Sequence, residues 1–146
     1  KLSTIERHGK NGNISVCPLS GYGIVNGAVA TSVAHDSHNV ICAGDNAIDM
    51  VAACNRLREI GGGYVIASKG KVIDEFALPY FGLMSDKPVS EAIEAISRLE
   101  RKAHELHVNP RIDPFTTLSF LALPVIPDIR LLDTGLYNVK NGKFYR

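Results

Sequence analysis

The sequence predicts an α+β domain with a mixed or mainly antiparallel sheet and two main helices. Short apolar, β-branched runs separated by turn formers fill its first half, and only two stretches carry apolar residues at helical spacing. The elements follow one another without the regular strand–helix alternation of a parallel fold, and nothing repeats. At 146 residues, 45% hydrophobic and 21% charged, the chain has the size and composition of one globular domain spanning 1–146, and its composition excludes disorder.

Leu2 to Arg7 reads as an opening strand, and His8-Gly9-Lys10-Asn11-Gly12-Asn13 as a loop dense in turn formers. Residues 14 to 27 hold Pro18, Gly21, Gly23 and Gly27, too many breakers for a long helix. Ala28 to Ala34 and Val40 to Ala43 are predicted strands joined by the polar connector His35-Asp36-Ser37-His38-Asn39. Asp45 or Asn46 caps a helix running to about Ile60, where Gly61-Gly62-Gly63 ends it. Tyr64 to Ser68 and Lys71 to Leu78 form a hairpin around Lys69-Gly70, with Gly70 supplying positive φ. Pro88 opens a second helix with Val89, Ala92, Ile93, Ile96, Leu99, Ala103 and Leu106 as its apolar stripe and Glu94–Arg98 as an exposed pair. Ser85 and Asp86 are read as caps of that helix, with Leu83 and Met84 packed beneath it. Between Pro110 and Pro127 the apolar run Phe115 to Ile126 is expected to be buried but irregular. Leu136 to Tyr145, turning at Asn141-Gly142, is expected to form a final hairpin.

A formal net charge of +1 argues against a nucleic-acid partner that neutralises many phosphates. No run reaches the roughly 18 apolar residues of a membrane span, and the polar, basic N-terminus is no signal peptide. Cys17, Cys42 and Cys54 are odd in number and form no C-x-x-C, so they are read as small hydrophobes in a protein of the reducing cytoplasm.

His35-Asp36-x-His38 is the densest set of metal-ligating types, since imidazole and carboxylate suit divalent transition metals; the alternative is a strand connector whose Asp, Ser and Asn bond their own backbone. Gly21-x-Gly23 lacks the helix that a dinucleotide loop needs. The Arg7 to Gly12 loop has amides and a lysine to offer an anion, although a plain solvent turn is favoured. His104 and His107 lie near a helix C-terminus and are read as dipole contacts.

The strings RHGKNGNIS, AHDSHN, DMVAACNRLREIGGGYV, GLMSD and FLALPVIP resemble the C-terminal domain of bacterial-type adenine deaminases, of the amidohydrolase superfamily, over about Glu6 to Val139. The resemblance implies a parent enzyme of purine salvage that hydrolyses adenine to hypoxanthine and ammonia at a manganese or iron centre in a preceding barrel. The five histidines contain no H-x-H pair, so this chain is read as a fragment without the barrel and expected to be inactive alone. Under the resemblance His35, Asp36 and His38 become candidate ligands of an auxiliary divalent metal, with Asn39, Arg7 and His8 as interface or orienting residues and no catalytic residue here. The implied partners are the barrel, adenine through the parent enzyme, and a second copy of the chain, with the apolar segment Phe120 to Pro127 expected to form a domain interface or a homodimer contact. The alternatives are a stand-alone metal- or small-ligand-binding module and an oligomerisation domain.

Overall fold

The computed structural model describes residues 1–145 and is an α+β fold in which every strand pairing among the described residues is antiparallel. A six-stranded sheet runs in the order β2 (Ile14–Cys17), β1 (Leu2–Ile5), β4 (Val40–Gly44), β3 (Ala28–Thr31), β5 (Gly63–Ser68), β6 (Lys71–Ala77). A second sheet of three strands, β7 (Ile129–Leu132), β8 (Gly135–Asn138) and β9 (Lys143–Phe144), packs beside β1 and β2.

Successive strand residues point to opposite faces, and both faces are covered. On one side Ala28, Ala30, Cys42, Val65 and Ala67 meet Met50, Ala53 and Leu57 of α1 (Ala47–Glu59). On the other, Val29, Ile41 and Ile66 pack with Leu99 of α2 (Val89–Glu105) and Leu118 of α3 (Pro114–Leu121).

Asn46 caps α1 by accepting from the Asp49 N–H at 2.9 Å, while the Asp45 carboxylate accepts from Asn26 and Gly27. Gly61 and Gly62 close the helix by donating to the carbonyls of Arg58 and Leu57. The β5–β6 turn has positive φ at Lys69 as well as at Gly70, the requirement of a two-residue turn that follows the twist of the strands.

The structure corrects several expectations. β3 stops at Thr31, β2 and β7 are strands that the reading did not foresee, and the run starting at Pro114 opens with a helix. Pro114 occupies its first turn, where no N–H is needed, and Asp113 caps it by accepting from Phe115 and Thr116. The Ser85 and Asp86 caps are absent: α2 begins after Pro88 with no side-chain cap, and Ser85 accepts instead from the Lys87 N–H. Met84, Val89 and Ile93 are exposed, and Ala95 takes the place expected of Ile93 in the core. Arg98 turns from Glu94 to Asp74 on β6, which Lys102 also pairs.

Burial works to raise the Asp74 carboxyl, but bonds from Arg98, the Glu75 N–H and Lys102 outweigh it and hold it below the usual carboxylate range. A depressed carboxyl stabilises the fold above its unfolded pKa and loses that contribution as pH falls through its folded value. Asp74→Asn is expected to lower stability at neutral pH and to flatten the acid limb of a urea-midpoint against pH profile. Leu118→Ala, which empties a fully buried site between α3 and the sheet, is expected to cost about 2–5 kcal/mol in the same measurement.

Candidate functional site

The loop after β1 is built around one carboxylate. Glu6 accepts from the N–H groups of His8, Lys10, Asn11 and Gly12 at 2.5 to 3.3 Å, and it is only 9% exposed because its own loop covers it. Burial acts to raise its pKa, and the bonds from Gly12, His8, Asn11 and Lys10 lower it further than burial raises it. The amides that the sequence offers to an external anion are therefore occupied by an internal one.

Arg7 then joins three segments. Its Nε donates to the carbonyl of His38 at 2.5 Å and its Nη2 to that of Phe81 at 2.6 Å, while His8 Nε2 meets the Ser37 carbonyl at 2.7 Å. Gly82 is pressed into this corner: Ser32 Oγ donates to its carbonyl and accepts from the Gly63 N–H. A Cβ at Gly82 would meet Arg7 and Ser32 atoms at 3.0 to 3.1 Å, and its φ of +73° is one that side chains rarely adopt.

The His35–Asn39 turn lies against α3. His35 Nδ1 bonds Ser119 Oγ at 2.5 Å and its ring stacks on Phe120 with centroids 5.4 Å apart. The His35 and His38 rings are 6.0 Å apart, whereas Asp36 lines a separate small cavity with Thr4 and Asp133. Among the described residues no three His, Cys, Asp or Glu side chains gather in a way that could hold a metal ion. Burial first, then the nearby His35 and Arg7, lower the His38 pKa against the pull of Asp36, which favours a neutral ring at pH 7. Among the described residues, His38 Nδ1 and Asn39 Oδ1 are buried and meet no hydrogen-bond partner.

Arg7, His8, His38 and His35 thus come together, and Phe81 (77% exposed) and Phe120 (39% exposed) extend the surface they make. Phe81, Gly82 and Ser119 are residues that sequence reasoning did not assign to the site, and Phe120 was expected only as the first residue of an apolar interface segment. Gly82 and Phe120 open the strings GLMSD and FLALPVIP and Phe81 and Ser119 directly precede them, but all four lie more than 40 positions from the histidine turn. The other flagged positions are structural. Tyr22, the middle residue of Gly21-x-Gly23, is buried and donates to the Pro114 carbonyl at 3.0 Å, His104 Nδ1 meets the Val108 carbonyl, and the three cysteines are free thiols.

Fold and site define an antiparallel α+β module whose loops converge on one polar and aromatic corner. The chain belongs to the family described as the adenine deaminase C-terminal domain, whose model matches residues 1–143. It is 48% identical over 145 residues to an adenine deaminase of Nitratidesulfovibrio vulgaris (strain DP4) and 46% identical over 145 residues to one of Clostridium acetobutylicum. An adenine deaminase of Brucella abortus (strain 2308) is 44% identical over 144 residues. Each match takes in 99% of this chain but 25% of the relative, so the chain spans about a quarter of the length of these proteins.

Glu6→Gln would turn an amide N–H₂ toward the four backbone donors. Faster hydrogen exchange of the His8 to Gly12 amides is expected in that variant, and in the unsubstituted protein as pH falls through the folded pKa of Glu6. The amides of β1 should keep their protection.

Proposed function

We propose that this chain serves as the C-terminal part of an adenine deaminase, the enzyme of purine salvage that converts adenine and water to hypoxanthine and ammonia. The observation that carries the reading is 44 to 48% identity over nearly the whole chain to proteins of that name about four times its length. Hydrolysis belongs in this reading to the remaining part of the enzyme, an amidohydrolase barrel whose manganese or iron, when bound, supplies an activated hydroxide.

This chain contributes a docking face. Arg7 fixes the His38 and Phe81 carbonyls relative to β1, so the histidine turn and the Phe81 loop meet a partner as one rigid unit. Arginine and exposed aromatic rings are the side chains that most often anchor protein interfaces, and Phe81 and Phe120 supply the rings. An auxiliary divalent ion at His35 and His38 would take at most two imidazole nitrogens from this turn and would need further ligands from the facing part, because Asp36 lies against the cavity instead. Such a chain works in the cytoplasm, where free adenine is found.

Adenine turnover tests the reading directly. The chain alone is expected to release no ammonia, and the chain joined to the preceding three quarters of the Nitratidesulfovibrio vulgaris relative is expected to release it. Ammonia from the chain alone, or a folded but inactive joined protein, would overturn the proposal. Phe81→Glu is expected to leave the melting of the isolated chain unchanged and to lower the activity of the joined protein at least several-fold.

A further inference from the structure

Two of the three thiols do more than fill the core, because they meet on the α1 side of the six-stranded sheet. Cys42 is the middle residue of β4 and is fully buried, and Cys54, on α1, packs against the same apolar cluster. Cys54 stands one helical turn after Met50, and helical side chains lean back over the preceding turn, which carries its sulfur toward Met50. Cys42 Sγ reaches that turn from the sheet and lies 3.9 Å from the Met50 carbonyl oxygen. The helix comes this close because Gly44, two residues along β4, has no Cβ to hold Met50 away.

The two sulfurs have unequal access and unequal chemistry. Cys54 is half-buried and lines a groove of about 410 Å³ between α1 and β2, walled by Ile14, Val16 and Val51. Cys42 exposes no surface and lies behind it. The Cys42 thiol hydrogen-bonds Cys54, which holds the Cys54 thiol below its usual range against the opposing effect of burial; the same bond, together with burial, pushes Cys42 well above that range. The thiolate is the nucleophilic form, so the sulfur that solvent can reach is the reactive one. Cys17 has neither feature: it packs with the cluster on the opposite face of the sheet, and burial raises its thiol.

We propose that Cys54 and Cys42 form a reversible oxidation site, in which Cys54 reacts with a hydroperoxide entering the groove and Cys42 resolves the product as an intramolecular disulfide. In the first step the Cys54 sulfur attacks one peroxide oxygen, the O–O bond breaks, and with hydrogen peroxide the second oxygen leaves as water. Cys54 is then a sulfenic acid, oxidised by two electrons. In the second step the Cys42 sulfur attacks the Cys54 sulfur, an S–S bond replaces the S–O bond, and the departing hydroxide takes the Cys42 proton as water. A dithiol reductant reopens the bond by exchange and is itself left as the disulfide, which makes the pair suited to a reducing compartment. The oxidised form ties α1 to β4. The proposal is independent of the docking face and of the deaminase reading.

The test is brief exposure of the reduced, folded 146-residue chain to a slight excess of hydrogen peroxide, followed by alkylation of the remaining thiols. Cleavage before Asp36, Asp45, Asp49 and Asp74 then puts each cysteine on a different peptide for mass analysis. A Cys42 peptide linked to a Cys54 peptide is expected, separable by dithiothreitol, with Cys17 alkylated and at least tenfold slower to oxidise. Cys42→Ala is expected to stop at a Cys54 sulfenic acid that dimedone captures, and Cys54→Ser to leave Cys42 unmodified. Absence of the linked peptide, oxidation of Cys17 as fast as Cys54, or a disulfide between chains in its place would overturn the assignment. So would oxidation of Cys42 in folded Cys54→Ser. The linked peptide and the Cys17 rate are read on the unsubstituted chain, so the assignment stands or falls even where a variant folds poorly.

Discussion

The structure depends on the double burial of its two central strands. Antiparallel sheets commonly leave one face to water, but every residue of β3 and β4 is buried. Two layers must therefore approach one thin sheet closely, and the strands answer with small side chains: Ala28, Ala30, Cys42, Ala43 and Gly44. A Cβ at Gly44 would come within 2.5 Å of Met50 on α1, which shows how closely that helix lies on the sheet. With the centre filled in this way, the chain's polar chemistry is confined to the loops where strands turn. The His35–Asn39 connector is one of these, because it is the link between the two buried strands.

Charge in this molecule closes loops. Glu6 gathers the amides of residues 8 to 12, Asp45 those of Asn26 and Gly27, Asp49 that of Gly70, and Asp113 those of Phe115 and Thr116. Carboxylates held by backbone N–H groups take charge-assisted bonds that an external anion would otherwise find. The near balance of 16 basic and 15 acidic residues is thus accompanied by local internal pairing of several carboxylates with backbone amides.

Much of the fold was legible because it obeys local rules. Asn46 as a cap, the triple glycine as a helix end and the Lys69-Gly70 turn all follow from residues within one or two turns of each other. What escaped reading was decided at a distance. Arg98 has Glu94 one turn away, yet it bonds Asp74, whose position 24 residues earlier is known only once β6 lies beside α2. In α3 a polar Ser119 is buried while Phe120 is exposed, so no clean amphipathic stripe announces the helix; Asp113-Pro114 was the available signal and was obscured by the neighbouring prolines. Ile14-Ser-Val-Cys17 does alternate, but four residues among turn formers are a weak strand signal until β1 pairs with them. The candidate site was legible in part: Arg7, His8, His35 and His38 do meet, while Phe81, Ser119 and Phe120 arrive from segments that share no local pattern with them.

The histidine turn divides into two kinds of group. The His38 carbonyl, the Ser37 carbonyl and His35 Nδ1 have partners in Arg7, His8 and Ser119, and those bonds are sufficient to hold the link between β3 and β4. His38 Nδ1 and the Asn39 amide oxygen have none among the described residues, although both are buried where an unpaired polar atom is destabilising. The turn therefore holds the sheet together through its backbone and His35, whose partners are Arg7, His8 and Ser119, and the His38 ring and the Asn39 amide oxygen take no part in that task.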